Sequence, residues 1–328
     1  MPVFAYFGPA DTFTEMALEQ VLAQAATPGE STAPLFLPAA ERIAAPSPAA
    51  AIAMVRTGEV DYACVPIESS LEGSVPATMD ALVPGPGAGR VQVFAETVID
   101  VAFTIGAAAP IPPAQVTRLA AYPVAEAQVR GSVARLFPNA HFVTAASNAA
   151  AAHDVAAGDA DAAVTTALAA RLSGLTVLAD GISDATDAVT RFLIIGRPAP
   201  PPAPTGADRT AVILELPNAP GSLMAAMNEF ASRGVDLTRI ESRPRRELER
   251  GLSNAGEYRF FLDAVGHIDD DAVAEALAAL HRRCDRIVYL GSWPAHRVPG
   301  AVPPDHSAST AWVQTMRRGG DATTGADR

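Results

Sequence analysis

Arg197-Pro198-Ala199-Pro200-Pro201-Pro202-Ala203-Pro204-Thr205-Gly206 is the stretch on which the fold of this chain turns. Proline fixes φ and lacks a backbone donor, so a run in which five of ten residues are proline forms neither a helix nor a central strand. It reads as a polyproline spacer, and it places the boundary of two folded parts at 198–208. Residues 1–197 lie before it, 209–295 after it, and a Pro- and Gly-punctuated tail follows at 296–328.

Upstream of the spacer, short β-branched runs alternate with helical patterns. Strands are expected at Val3–Phe7, Tyr62–Val65, Leu119–Ala121, Phe142–Thr144, Ala162–Thr165 and Phe192–Ile195, and helices from about Phe13 and Ala125. That alternation argues an α/β fold. Val91–Ile105 is too long for one ordinary strand and is expected to cross between two lobes. Downstream, strand, helix, strand, strand, helix, strand is expected from Thr210 to Leu290, the βαββαβ order of a ferredoxin-like unit. Val273, Ala276, Leu277 and Leu280 fall at i, i+3, i+4 and i+7, one apolar stripe to lie on its sheet. In the tail only Ala308–Arg317 has a helical pattern.

Composition narrows the function. At 328 residues the chain can bury two or three cores, and a formal net charge of -12 argues against a nucleic-acid partner. The N-terminus lacks a basic segment ahead of a hydrophobic run, and no apolar run approaches the roughly 20 residues that cross a bilayer. A cytoplasmic protein without a membrane partner is therefore expected. Two cysteines, Cys64 and Cys284, and six scattered histidines offer no metal-ligand spacing. Cys64 sits on an apolar strand and is expected to pack there.

Five segments carry polar groups next to strand or helix ends. Gly8–Glu15 follows the first strand and opens a helix, so Thr12 can face an anion or, like Asp11, simply cap the helix. Pro66-Ile67-Glu68-Ser69-Ser70-Leu71-Glu72-Gly73 puts carboxylates and hydroxyls at the carboxyl end of a strand, where open α/β sheets bind ligands; a capping box is the plainer alternative. Ser147-Asn148 starts an Ala-rich helix and Thr165-Thr166 ends a strand, each explicable as a cap or a terminus. Thr190-Arg191-Phe192 places a hydroxyl acid and a fixed cation side by side ahead of a strand.

Taken together, Thr190-Arg191-Phe192, Pro66–Gly73 and, beyond the spacer, Glu241-Ser242-Arg243-Pro244 resemble prephenate dehydratase with its phenylalanine-sensing ACT domain, in its actinobacterial form. The resemblance covers nearly the whole chain. It implies a bilobed catalytic domain of the periplasmic-binding-protein type at 1–197, with a second lobe at about 98–178 and a return crossing near Leu175–Asp184. It also implies an ACT domain at 209–295. The activity implied is dehydration with decarboxylation of prephenate to phenylpyruvate, without cofactor or metal. Arogenate dehydratase, and an inactive amino-acid-sensing binding protein, remain alternatives.

By the same resemblance Thr190, Arg191 and Phe192 form the catalytic signature, with Thr190 as proton donor and Arg191 as carboxylate anchor. Thr12, Glu68, Ser69, Ser70, Ser147, Asn148 and Thr166 are implied substrate contacts. Pro220, Gly221, Ser222 and Leu223, with Glu241 and Ser242, are implied to bind L-phenylalanine between ACT domains of a homo-oligomer, a dimer or a dimer of dimers. Four departures stand out. Ser69 and Asp187 replace asparagines, Tyr122-Pro123 replaces His-Pro, and Ala10-Asp11 stands where a residue and a glycine are usual.

Overall fold

The computed structural model describes residues 1–10, 12–25, 40–185, 188–245, 257–296 and 300–320. They fall into two compact units: Met1–Val91 with Glu96–Arg197, and Gln92–Ala95 with Pro198 onward.

The first unit begins β1 (Val3–Phe7), α1 (Phe13–Ala25), β2 (Glu41–Ala45), α2 (Pro48–Thr57), β3 (Tyr62–Ser69), β4 (Gly73–Ser74), α3 (Pro76–Leu82) and, from Glu96 on, β5 (Gln92–Asp100). Local chemistry sets α2: the Ser47 hydroxyl accepts the Ala50 amide at 3.1 Å, Pro48 occupies the first turn, and Gly58 takes the left-handed φ of 78° that ends it. β1 pairs in parallel with β2 and β3. Phe4, Leu18, Ile52, Val65 and Ile194 are fully buried in this lobe.

The chain then crosses to a second lobe: β6 (Phe103–Ala107), β7 (Arg118–Ala121), α4 (Pro123–Leu136), β8 (His141–Thr144), α5 (Asn148–Ala157), β9 (Ala162–Thr165), α6 (Ala167–Leu172) and β10 (Thr176–Ile182). Its five strands run in the order β10-β6-β9-β7-β8. Alternate residues feed two different cores. Leu119, Ala121 and Val164 pack with Val129 and Val133 of α4 and with Phe137 at its end, while Ala120 and Ala163 pack with Ala151, Ala152, Ala169 and Ala170. The alanine tract is thus a helix face small enough to lie close to the sheet.

β11 (Val189–Gly196) returns to the first lobe, antiparallel to β3, completing a sheet of order β2-β1-β3-β11-β5 with β4 alongside β3. The long apolar run from Val91 therefore divides into β5 and β6, one strand in each lobe's sheet. Thr176–Ile182 is a strand paired with β6, so the second lobe's sheet extends past 178 and the crossing begins at Ser183, at the end of the expected stretch Leu175–Asp184. β10 reads poorly because it is a bulged edge strand, exposed at several positions.

Asp184 ties that crossing to α4. Its carboxylate accepts the amides of Gly131 and Ser132, each at 2.7 Å, and its own amide donates to the Gln128 carbonyl at 2.8 Å. A Cβ on Gly131 would stand 3.3 Å from that carboxylate, so glycine keeps the approach open. Burial pushes the Asp184 carboxyl upward, but its bonds to Gly131 and Ser132 outweigh it and hold the carboxyl below the usual range. A depressed carboxylate stabilises the fold above its unfolded value, and this is lost as pH falls through the folded one. Asp184→Asn is expected to lower the melting temperature near neutral pH by about 2–4 °C, on the order of 1 kcal/mol after solvent screening, and to match wild type in strong acid, once the pH has passed below the folded value. Thermal melts at both pH values check this; a deficit that persists in acid would refute it.

The second unit is β12 (Asp208–Glu215), α7 (Ser222–Ala231), β13 (Leu237–Pro244), β14 (Tyr258–Val265), α8 (Asp271–Arg283) and β15 (Arg286–Pro294), followed by α9 (Ser307–Arg317). The antiparallel sheet runs β13-β14-β12-β15. Val273, Ala276 and Leu280 of α8 are fully buried with Phe230 of α7 against Val212, Leu214 and Leu262, as the apolar stripe requires.

Candidate active site

The carboxyl ends of β1 and β3 and the start of β11 meet at one edge of the first-lobe sheet. The Thr12 hydroxyl donates to the Pro9 carbonyl at 3.2 Å in the turn after β1. Asp11 and Asp187 lie outside the described residues. The β3–β11 register places Thr190 opposite Ser69 and Arg191 opposite Glu68, residues more than a hundred positions apart in sequence. Two bonds fix this register: the Ser70 amide donates to the Val189 carbonyl and the Val189 amide to the Ser70 hydroxyl, both at 2.9 Å. Ser69 caps its own turn, its hydroxyl accepting the amides of Leu71 at 3.3 Å and Glu72 at 3.4 Å.

Thr190 and Arg191 do not present a hydroxyl and a cation on one face. Consecutive strand residues point to opposite sides, so only a ligand at the sheet edge can reach both. Arg191 is buried, and its Nη1 donates to Glu96 Oε2 at 3.3 Å while Nη2 stands 3.3 Å from Glu68 Oε2. Three neighbouring strands, β3, β11 and β5, thus supply one guanidinium and two carboxylates. Glu96 went unnoticed in the sequence, although it is the one acid among the first nine residues of the run from Val91. The Phe192 side chain is buried in the core, where it anchors the strand.

In the second lobe β7, β8 and β9 are parallel, so Tyr122, Ser147-Asn148 and Thr165-Thr166 follow strand ends at one edge. The Ser147 and Thr166 hydroxyls cap α5 and α6, accepting the amides of Ala150 and Ala169, each at 3.0 Å. Thr166 is fully buried in this arrangement. Asn148 differs: its Oδ1 is buried without a hydrogen-bond partner, an acceptor left for a donor to satisfy. Thr104 joins this edge opposite Thr165, and its hydroxyl donates to Asp180 at 2.6 Å. Phe13 of α1 meets Phe103 edge-on, with ring centroids 5.7 Å apart, joining the two lobes beside the outgoing crossing.

Cys64 is buried, and burial pushes its thiol well above the usual range, as befits a packing residue. Among the described residues no group of His, Cys, Asp and Glu is arranged to hold a metal ion, and no helix is long and apolar enough to cross a membrane.

In the second unit a pocket of about 110 Å³ opens at the start of α7. Ser222 and Leu223 line it with Asn218, Glu257, Tyr258 and Phe260. Gly221 is the cap residue of α7, at φ 83°, and Pro220 precedes it. Glu241 and Ser242 are not among the lining residues but lie on the neighbouring edge strand β13, opposite Phe261 and the pocket-lining Phe260. Asn218 and Glu257 carried no motif that would have marked them beforehand.

Residues 4–200 match the family model for prephenate dehydratase, and residues 210–282 match that for the ACT domain. The chain is 53% identical over 321 residues to the prephenate dehydratase of Mycolicibacterium vanbaalenii, covering 97% of this chain and 99% of that one. A crystal structure of prephenate dehydratase from Arthrobacter aurescens in complex with L-Phe is 36% identical, with a TM-score of 0.78 over 96% of this chain and 99% of the other. GqqA, described as a novel type of quorum quenching acylase, is 31% identical with a TM-score of 0.72 over 89% of this chain and 98% of its own. With matches that span both units at these identities, the chain belongs to the prephenate dehydratase family and carries an ACT domain after its catalytic region.

Proposed function

We propose that this protein converts prephenate to phenylpyruvate at the edge of the β3–β11 sheet, under control of phenylalanine bound at its ACT domain. The observation that carries the site is the register that sets Thr190 opposite Ser69 and Arg191 opposite Glu68. Prephenate carries a ring carboxylate, a ring hydroxyl and a pyruvyl side chain. The C–O bond to the ring hydroxyl breaks as that oxygen takes a proton and departs as water. The C–C bond to the ring carboxylate gives its electron pair to the ring and releases carbon dioxide. Thr190 is the donor, or the relay, for that proton. Because the ring carboxylate must shed its charge, Arg191 serves best on the pyruvyl carboxylate, where charge persists through the reaction.

Among the described residues two carboxylates pair with Arg191, and an incoming substrate carboxylate takes the place that one of them holds. Glu68 is the exchangeable partner: its side chain is 40% exposed, against 1% for Glu96. The orphaned Asn148 Oδ1 and the Ser147 hydroxyl supply polar groups from the second lobe, and lobe closure brings them to the substrate. Phenylalanine inhibits by favouring one lobe arrangement over another, which requires different affinity for the two. We place the protein in the cytoplasm, as a homo-oligomer paired through its ACT domains. An acylase function has less support, since the acylase relative is 31% identical and the dehydratase relative 53%.

The test is phenylpyruvate formation from prephenate by the purified protein, with and without phenylalanine, and with arogenate as the competing substrate. Turnover of prephenate that phenylalanine suppresses is the expected outcome. Folded protein that binds phenylalanine but turns over neither substrate would overturn the enzyme reading in favour of a sensor.

A further inference from the structure

We infer that Glu96 is a positioning residue for substrate binding: it holds one edge of the Arg191 guanidinium so that the other edge is presented to a substrate carboxylate. The inference rests on the reading of Arg191 as the carboxylate anchor. The two carboxylates at Arg191 are not equivalent. Glu96 comes from the interior of β5, its side chain is 1% exposed, and it takes Nη1 at 3.3 Å. Glu68 comes from the end of β3 beside the open edge, and it takes the other terminal nitrogen, Nη2. A carboxylate so buried has no water to turn to, so its pairing with Arg191 persists when Glu68 moves away. A guanidinium offers donors in a rigid planar fork, and fixing one nitrogen fixes the plane of the rest. Glu96 therefore lets an incoming carboxylate replace Glu68 at Nη2 without Arg191 turning to follow Glu68 into solvent.

A buried ion pair can be purely structural, and the experiment separates the two roles. A double-mutant cycle joins Glu96→Ala and Arg191→Ala, with kcat and KM for prephenate read in each variant and folding checked by thermal melting. Glu96→Ala in the wild-type background is expected to raise KM by about tenfold or more, with kcat kept within about threefold, as a misplaced anchor weakens binding. In the Arg191→Ala background the same change should leave KM unmoved, because Glu96 acts only through that guanidinium. Glu96→Asp should restore part of the affinity. If Glu96→Ala itself does not fold, Glu96→Gln keeps the shape and takes its place in the cycle. A folded Glu96 variant with wild-type KM, or an equal rise in KM with and without Arg191, would overturn the inference. If Arg191→Ala alone leaves KM at the wild-type value, it is the anchor reading that fails.

Discussion

Thr190→Ala is expected to leave a folded protein whose kcat for phenylpyruvate formation falls by about 10²–10⁴, the usual worth of a positioned proton transfer. The departing ring hydroxyl needs a proton, and Thr190 is the half-buried hydroxyl that begins the β11 ladder at the candidate edge. Its position is set by backbone pairing with Ser69 and by the two Val189–Ser70 bonds, none of which uses the Thr190 side chain. Removing the hydroxyl should therefore cost little stability and little KM, so the loss falls on kcat. Thr190→Ser should recover most of the rate and Thr190→Val none, since valine keeps the shape without the proton. Threonine is a weak acid, so its contribution depends on a dry, closed cleft and on neighbours that polarise it. Steady-state kinetics of the three variants, beside their melting curves, decide the point. Wild-type turnover in Thr190→Ala would remove the residue from the mechanism.

How far the sequence disclosed this arrangement depended on burial. The α8 stripe of Val273, Ala276, Leu277 and Leu280 was legible because one face meets a core and the other meets water. β2 and β10 were not, because Glu41–Ala45 and Thr176–Ile182 are edge strands in which few side chains are buried and composition carries little pattern. α2 was not read either, although Ser47-Pro48 and Gly58 cap its two ends. The Thr-Arg-Phe triplet was legible as a motif and misleading as geometry, since adjacency in sequence means opposite faces in a strand. The partner of Arg191 lies 95 positions away on β5, and only the order of the strands brings it there. The Ser70 hydroxyl, expected to contact substrate, also accepts the Val189 amide and so secures the return of the chain to β3.

Gly221→Val is expected to raise the phenylalanine concentration for half-inhibition by on the order of 10–100-fold while leaving turnover without effector within about twofold. Gly221 holds φ at 83°, a conformation that costs an L-residue about 1–2 kcal/mol and a β-branched one more. No atom lies within 4 Å of where its Cβ would be, so the penalty comes from the backbone and not from a clash. The helix start must then unwind or tilt to escape that strain, and Ser222 and Leu223, which line the pocket, move with it. Gly221→Ala should give a smaller shift, because its single methyl tolerates the left-handed region better than a branched chain does. The core beneath α7 is built from Ala226 and Phe230, one and two turns further on, so the fold survives a disturbed first turn. Calorimetric titration with phenylalanine distinguishes lost binding from lost coupling. Weakened binding is what a distorted pocket predicts. Wild-type inhibition by phenylalanine in Gly221→Val would mean that the effector is held elsewhere, with the β13 edge that carries Glu241 and Ser242 as the next place to look.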